Sequence, residues 1–156
     1  MQYNEQEARK YMQAALNEAQ KAAALGEVPI GCVIVKDHQI IGRGYNLREK
    51  SNLAIDHAEI RAIKMANQQV NSWRLEQCTL FVTLEPCPMC AGAILNSRIS
   101  EVYYGAADSK AGMAGTLADL LNDPRLNHQV DVQKNILKNE CLTLLQDFFS
   151  DIRKNN

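Results

Sequence analysis

Two short segments carry residue types from which a metal site with a neighbouring acid/base group is built: His57-Ala58-Glu59 and Pro86-Cys87-Pro88-Met89-Cys90. Together they offer one imidazole, two thiols and one spare carboxylate. Zinc takes such N and S donors tetrahedrally, and a catalytic zinc keeps three protein ligands and leaves its fourth position to water. The count here is three: His57, Cys87 and Cys90. Cys78 is a poor fourth ligand, because Leu84 lies six strand residues further on and so roughly 20 Å away. Cys32 and Cys141 read as small core residues. His38 and His128 sit in polar segments and read as solvated. A bound zinc lowers the pKa of water towards about 7. Glu59 then reads as the general acid/base, taking the water proton and returning protons to a ring nitrogen and a leaving amine. Taken singly the segments are weak signals. A His-x-Glu arises by chance, a CxxC also serves redox pairs, and a Glu in a first helical turn also complements the helix dipole.

These side chains need elements that bring them together. Pro88 suits the first turn of a helix, which makes Cys87 its cap. Cys87 and Cys90, three apart, then share a face at a helix N-terminus, where the dipole and free N–H groups favour thiolate. His57 and Glu59 are two apart and converge only if His57 stands at or before a helix start. The pattern predicts that helix from about His57 to Val70.

Upstream, a helix is expected from about Glu5 to Leu25. Asn4 and Glu7 form a capping box, Ala8, Tyr11, Met12, Ala15, Ala19 and Ala22 form the apolar stripe, and Gly26 is the stop. Ile30–Val35 and Ile40–Tyr45 read as a hairpin around Lys36-Asp37-His38-Gln39, followed by a polar stretch from Asn46 to Asp56. Thr79–Leu84 reads as a buried strand and Pro88–Asn96 as a helix. Val102–Tyr104 reads as a strand, Gly105–Gly115 as a small-residue loop, and Val130–Gln133 as a last strand. In the final helix Leu137, Cys141, Leu144, Leu145, Phe148 and Ile152 share a face. The order αββαβαβ(β)α implies parallel pairing within one sheet and an α/β three-layer sandwich.

The whole chain sets outer limits. Its 156 residues fit one domain spanning 1–156, able to bury a core without staples. A formal net charge of −1 excludes a global attraction for nucleic acid, so any RNA surface is a local patch. No apolar run reaches a membrane span, and Met1-Gln2-Tyr3-Asn4-Glu5 lacks the features of a signal peptide, so a cytoplasmic location is expected. Five cysteines argue for metal binding, catalysis or core use over a disulfide framework.

The pairing of His-Ala-Glu with Pro-Cys-Pro-Met-Cys resembles the cytidine and nucleotide deaminase superfamily. Further segments extend the likeness to the bacterial tRNA adenosine deaminases. They are Gly26-Glu27-Val28-Pro29-Ile30-Gly31, Asn46-Leu47-Arg48, Ser72-Trp73-Arg74-Leu75, Thr83-Leu84-Glu85-Pro86-Cys87 and Tyr104-Gly105-Ala106-Ala107-Asp108. The resemblance covers nearly the whole chain. It implies a cytidine-deaminase-like fold with a mixed five-stranded sheet, one Zn2+ per subunit and a homodimer. The implied substrate is the wobble adenosine of a tRNA anticodon stem-loop, flipped into the zinc pocket and converted to inosine.

Site residues follow from the same resemblance. Asn46 matches the pocket Asn that hydrogen-bonds the nucleoside, although by itself it reads as a loop turn. The Ala58 N–H matches a contact to the exocyclic position, and Val28 and Pro29 match the base-pocket wall. Asp108 and Lys110 match sugar and phosphate contacts; alone they are loop charges. Phe149 and Arg153 are four apart, one residue off the buried stripe, so a ring and a guanidinium face one side, as in single-stranded RNA binding. Core packing or a dimer contact is the alternative for Phe149. The Gly112-Met113-Ala114-Gly115 segment varies in such enzymes, and the tail Lys154-Asn155-Asn156 is short.

Three rivals remain at this level. A deaminase of a free base or nucleoside would use the same chemistry. A binding module would use zinc for structure only. A thiol redox protein would use Cys87 and Cys90 and leave His57 and Glu59 idle.

Overall fold

Asn4 starts the first helix as a capping box: its Oδ1 accepts the Glu7 N–H at 2.8 Å, and Glu7 Oε1 accepts the Asn4 N–H at 3.2 Å. This helix, α1, runs Glu5–Ala24 and buries Ala8, Tyr11, Met12, Ala15, Ala19 and Ala22. The computed structural model describes residues 2–154. Met1, and Asn155 and Asn156 of the tail, lie outside the described residues. After α1 come β1 (Gly31–Lys36), β2 (Gln39–Tyr45), α2 (Arg48–Ser51), α3 (Ala58–Val70) and β3 (Thr79–Leu84). The chain continues with α4 (Pro88–Ser97), β4 (Glu101–Ala106), β5 (Asp131–Gln133) and α5 (Lys138–Lys154).

The strands form one five-stranded sheet in the order β2-β1-β3-β4-β5. The β1–β2 hairpin and the β1–β3 pair are antiparallel, whereas β3–β4 and β4–β5 are parallel. This is the mixed sheet expected from the sequence. Side chains alternate across it, so each strand feeds two cores. Cys32, Ile34, Leu80, Val82 and Val102 pack with Ala58 and Ala62 of α3 and with Ala91 and Ile94 of α4. Val33, Val35, Phe81 and Tyr103 face the other way, onto Met12 and Leu16 of α1 and Cys141 of α5. The result is three layers, helix–sheet–helix. Among the described residues no helix is long and apolar enough to cross a membrane.

Four details depart from the sequence reading. The polar stretch after β2 contains the short helix α2. Leu47 gives it no side-chain cap. The buried Glu27 carboxylate caps it from outside, accepting the Glu49 and Lys50 N–H groups at 3.2 and 2.7 Å. Gly105 and Ala106, expected in a loop, complete β4, where every residue is buried. Burial along α5 fades: Cys141 and Leu145 are buried, but Ile152 is 40% exposed, so the helix packs on the sheet through its first half. His128 is half-buried rather than solvated, with Nε2 2.8 Å from the Ile99 carbonyl oxygen.

Helix α3 and strand β2 approach each other unusually closely. A Cβ at Gly44 in β2 would collide with the Ala58 carbonyl oxygen and would lie 2.7 Å from the Ala62 nitrogen. The first turn of α3 therefore rests directly on the β2 backbone.

Candidate active site

His57 and Cys87 both occupy helix N-cap positions, His57 before α3 and Cys87 before α4, with extended backbones. His57 makes no side-chain capping bond to its helix, and Cys87 bonds within its own only through Cys90. They turn towards each other instead. His57 Nδ1 lies 3.6 Å from Cys87 Sγ and 3.5 Å from Cys90 Sγ. All three ligand atoms fall within 4.8 Å of one another, a grouping found at no other place among the described residues. Zn–S and Zn–N bonds at tetrahedral angles set an S···N edge of about 3.6 Å. The donor set and both S···N separations therefore fit a zinc ion. Cys78, buried in the core with Leu75 and Leu80, takes no part.

Because His57 is a cap, outside the helix proper, it and Glu59 reach the same space. They share a cavity of about 210 Å³ with Val28, Asn46, Ala58, Cys87 and Asp108. Glu59 is buried, and that burial pushes its carboxyl up to about 7. Cys87 is held down at about 4, chiefly by the hydrogen bond from Cys90, with His57 adding to it. Cys90 is driven far upward by the same bond and by burial. His57 is raised by its bond to Cys87. The shift at Cys87 favours the thiolate, the form in which cysteine ligates a metal.

The remaining residues named from the sequence fall in three places. Asn46 is buried in the cavity wall, where Nδ2 donates to the Val28 carbonyl at 3.2 Å and Oδ1 accepts the Arg48 N–H at 3.2 Å. Pro29 is buried beside Val28 but outside the cavity lining, where Ile30 stands instead. Asp108 is at the rim, and its Oδ1 accepts the N–H groups of Lys110 and Ala111 at 2.9 and 3.2 Å. Lys110 itself is exposed. Phe149, 41% exposed, and Arg153 lie on α5, away from the lining.

Sequence reasoning assigned nothing to three further residues. Arg48 lines the cavity, and Glu27 fixes the helix that carries it. Glu85, also in the lining, is 2% exposed. Burial works to raise its pKa, but hydrogen bonds from Thr116, Asp108 and Ala114 outweigh it and the net shift is downward. The available signal was a glutamate two residues before a metal ligand, in a run otherwise apolar.

The whole of this architecture has relatives. Residues 6–153 match the family model described as MafB19-like deaminase. The tRNA-specific adenosine deaminase of Streptococcus pyogenes serotype M18 is 51% identical over 154 residues, covering 99% of this chain and 97% of that protein. The tRNA-specific adenosine deaminase of Bacillus subtilis is 50% identical over 144 residues, covering 92% of this chain and 89% of that one. A solved structure from work on A-to-I editing by tRNA:A34 deaminases at the wobble position of transfer RNA superposes with a TM-score of 0.84. Its sequence is 40% identical, and the match covers 87% of this chain and 99% of that one. At such identity over nearly its full length, the chain belongs to the deaminase family, and within it to the tRNA-specific adenosine deaminases.

Proposed function

We propose that this protein hydrolyses the wobble adenosine of a tRNA anticodon to inosine, releasing ammonia. The observation that carries the reading is the grouping of His57, Cys87 and Cys90 at a cavity that His57, Cys87 and Glu59 line, in a chain half identical to enzymes of that name. His57, Cys87 and Cys90 would hold one Zn2+ per subunit. When bound, zinc supplies the Lewis acidity that makes water nucleophilic near neutral pH.

The chain's own residues do the rest. Glu59 takes a proton from the attacking water and passes it to the purine ring nitrogen, then takes the proton left on the added hydroxyl and delivers it to the departing amine. Its burial suits it to both holding and releasing a proton. Water adds at C6 and the C6–N bond breaks, so adenosine and water give inosine and ammonia. Asn46 and the Ala58 N–H orient the nucleoside, and Val28 and Ile30 bound the base. Asp108 and Lys110 meet the sugar and phosphate beside it. Phe149 stacks on, and Arg153 pairs with, the flanking strand. We assign these roles within a single domain spanning 1–156, acting as a cytoplasmic homodimer.

The test is deamination of a synthetic anticodon stem-loop with adenosine at the wobble position, beside free adenosine, cytidine and guanine, with zinc quantified. Inosine formed only on the stem-loop supports both chemistry and substrate. Ammonia from a free base or nucleoside at equal efficiency would leave the zinc chemistry and remove the RNA reading.

A further inference from the structure

The cavity rim depends on a segment, residues 107–130, that contains no named helix or strand. Its near half is fastened by one side chain. Glu85 spends both carboxylate oxygens on it. Oε1 accepts the Asp108 N–H at 3.1 Å and the Thr116 hydroxyl at 2.5 Å. Oε2 accepts the Ala114 N–H at 2.9 Å and the Thr116 N–H at 3.2 Å. Gly112 closes over the group: a Cβ there would lie 2.5 Å from Glu85 Cδ and Oε1. The Met113 N–H adds a bond to the Pro86 carbonyl at 2.9 Å. Asp108, anchored by its backbone to Glu85, uses its own carboxylate to hold the Lys110 and Ala111 N–H groups. The anchor is thus passed on to Ala111, another cavity wall residue.

We propose that Glu85 is a positioning residue: its carboxylate clamps residues 108–116 into a fixed rim, so that Asp108 and Lys110 meet the RNA strand beside the target base already ordered. The inference rests on the RNA roles proposed for Asp108 and Lys110. Its physical basis is preorganisation. A rim that had to order on binding would charge that loss of freedom to substrate affinity, and small misplacement of binding groups is costly. Glu85 also sits between β3 and Cys87, so one short turn sets both the metal ligand and the rim.

The experiment uses the zinc-loaded protein and compares wild type, Glu85→Gln and Thr116→Val. Glutamine has the same shape, but whichever way its amide turns, an NH2 faces at least one backbone N–H. Thr116→Val removes the hydroxyl bond to Glu85 and keeps the Thr116 N–H bond, a milder cut should Glu85→Gln not fold. Amide exchange across 108–116, zinc content, and KM and kcat on the stem-loop are measured. The clamp predicts faster exchange confined to this segment, unchanged zinc content, and a fall in kcat/KM of roughly 10–100-fold carried mainly by KM. Thr116→Val is expected to show the same pattern, weaker. Unchanged exchange, or a loss confined to kcat or to zinc content, would overturn the clamp. Should wild type prove inactive on the stem-loop, the substrate reading fails, while the exchange rates still decide whether Glu85 holds the rim.

Discussion

At the scale of single residues, proximity in sequence decided what was readable. His57, Glu59, Cys87 and Cys90 lie in two short segments, and helix-end geometry alone brings each pair onto one side. The structure groups His57, Cys87 and Cys90 and lines the adjoining cavity with His57, Cys87 and Glu59. Glu59→Gln is expected to cut turnover by about 10²–10⁴-fold, the usual worth of a positioned acid/base. Zinc content and thermal midpoint should stay at wild-type values. A variant retaining a tenth of the activity would point to a different proton carrier. Glu85 was not readable in the same way. Its partners come 23 to 31 positions later, in a loop whose path no periodicity fixes. A buried carboxylate with remote backbone partners leaves no local pattern beyond its place two residues before a metal ligand.

At the scale of elements, the helices and strands with strong periodicity were legible, and those made by neighbours were not. α1 announces itself through its capping box and stripe. By contrast α2 exists because Glu27, over twenty residues away, caps it. The last part of β4 is strand because β3 pairs with it, as in Leu84 opposite Ala106. The contact between α3 and β2 was likewise invisible in either element alone. Gly44 allows it, and Gly44→Ala is expected to destabilise the fold by roughly 1–3 kcal/mol through overpacking. Because the displaced turn begins at His57, zinc affinity should fall with it. Urea denaturation and metal competition read the two effects. A loss of stability with zinc affinity untouched would mean that α3 shifts as a whole without disturbing its cap.

At the scale of the molecule, the sheet core sets the response to alkali. Burial pushes Cys141 up to about 12 from an ordinary 9.0. Burial, with Glu101 nearby, pushes Tyr103 up to about 12 from 10.0. Both groups stay neutral in the fold, whereas the unfolded chain releases their protons first. Their contribution is therefore complete below about pH 9 and is lost as pH climbs through the folded values. The urea midpoint should hold to about pH 9 and fall steadily above it, with a shallower fall in Cys141→Ala. A midpoint constant to about pH 11 would contradict this account. The helix caps His57 and Cys87 act on the same global balance in another way. His and Cys are poor N-caps, whereas Asn and Ser are among the best. In chelator, His57→Asn/Cys87→Ser is expected to be roughly 1–2 kcal/mol more stable than the metal-free parent, by urea denaturation, while binding no zinc. A library sorted for stability alone would therefore drift towards erasing the reaction centre. The two positions least suited to folding are the ones by which selection for activity can be told from selection for folding.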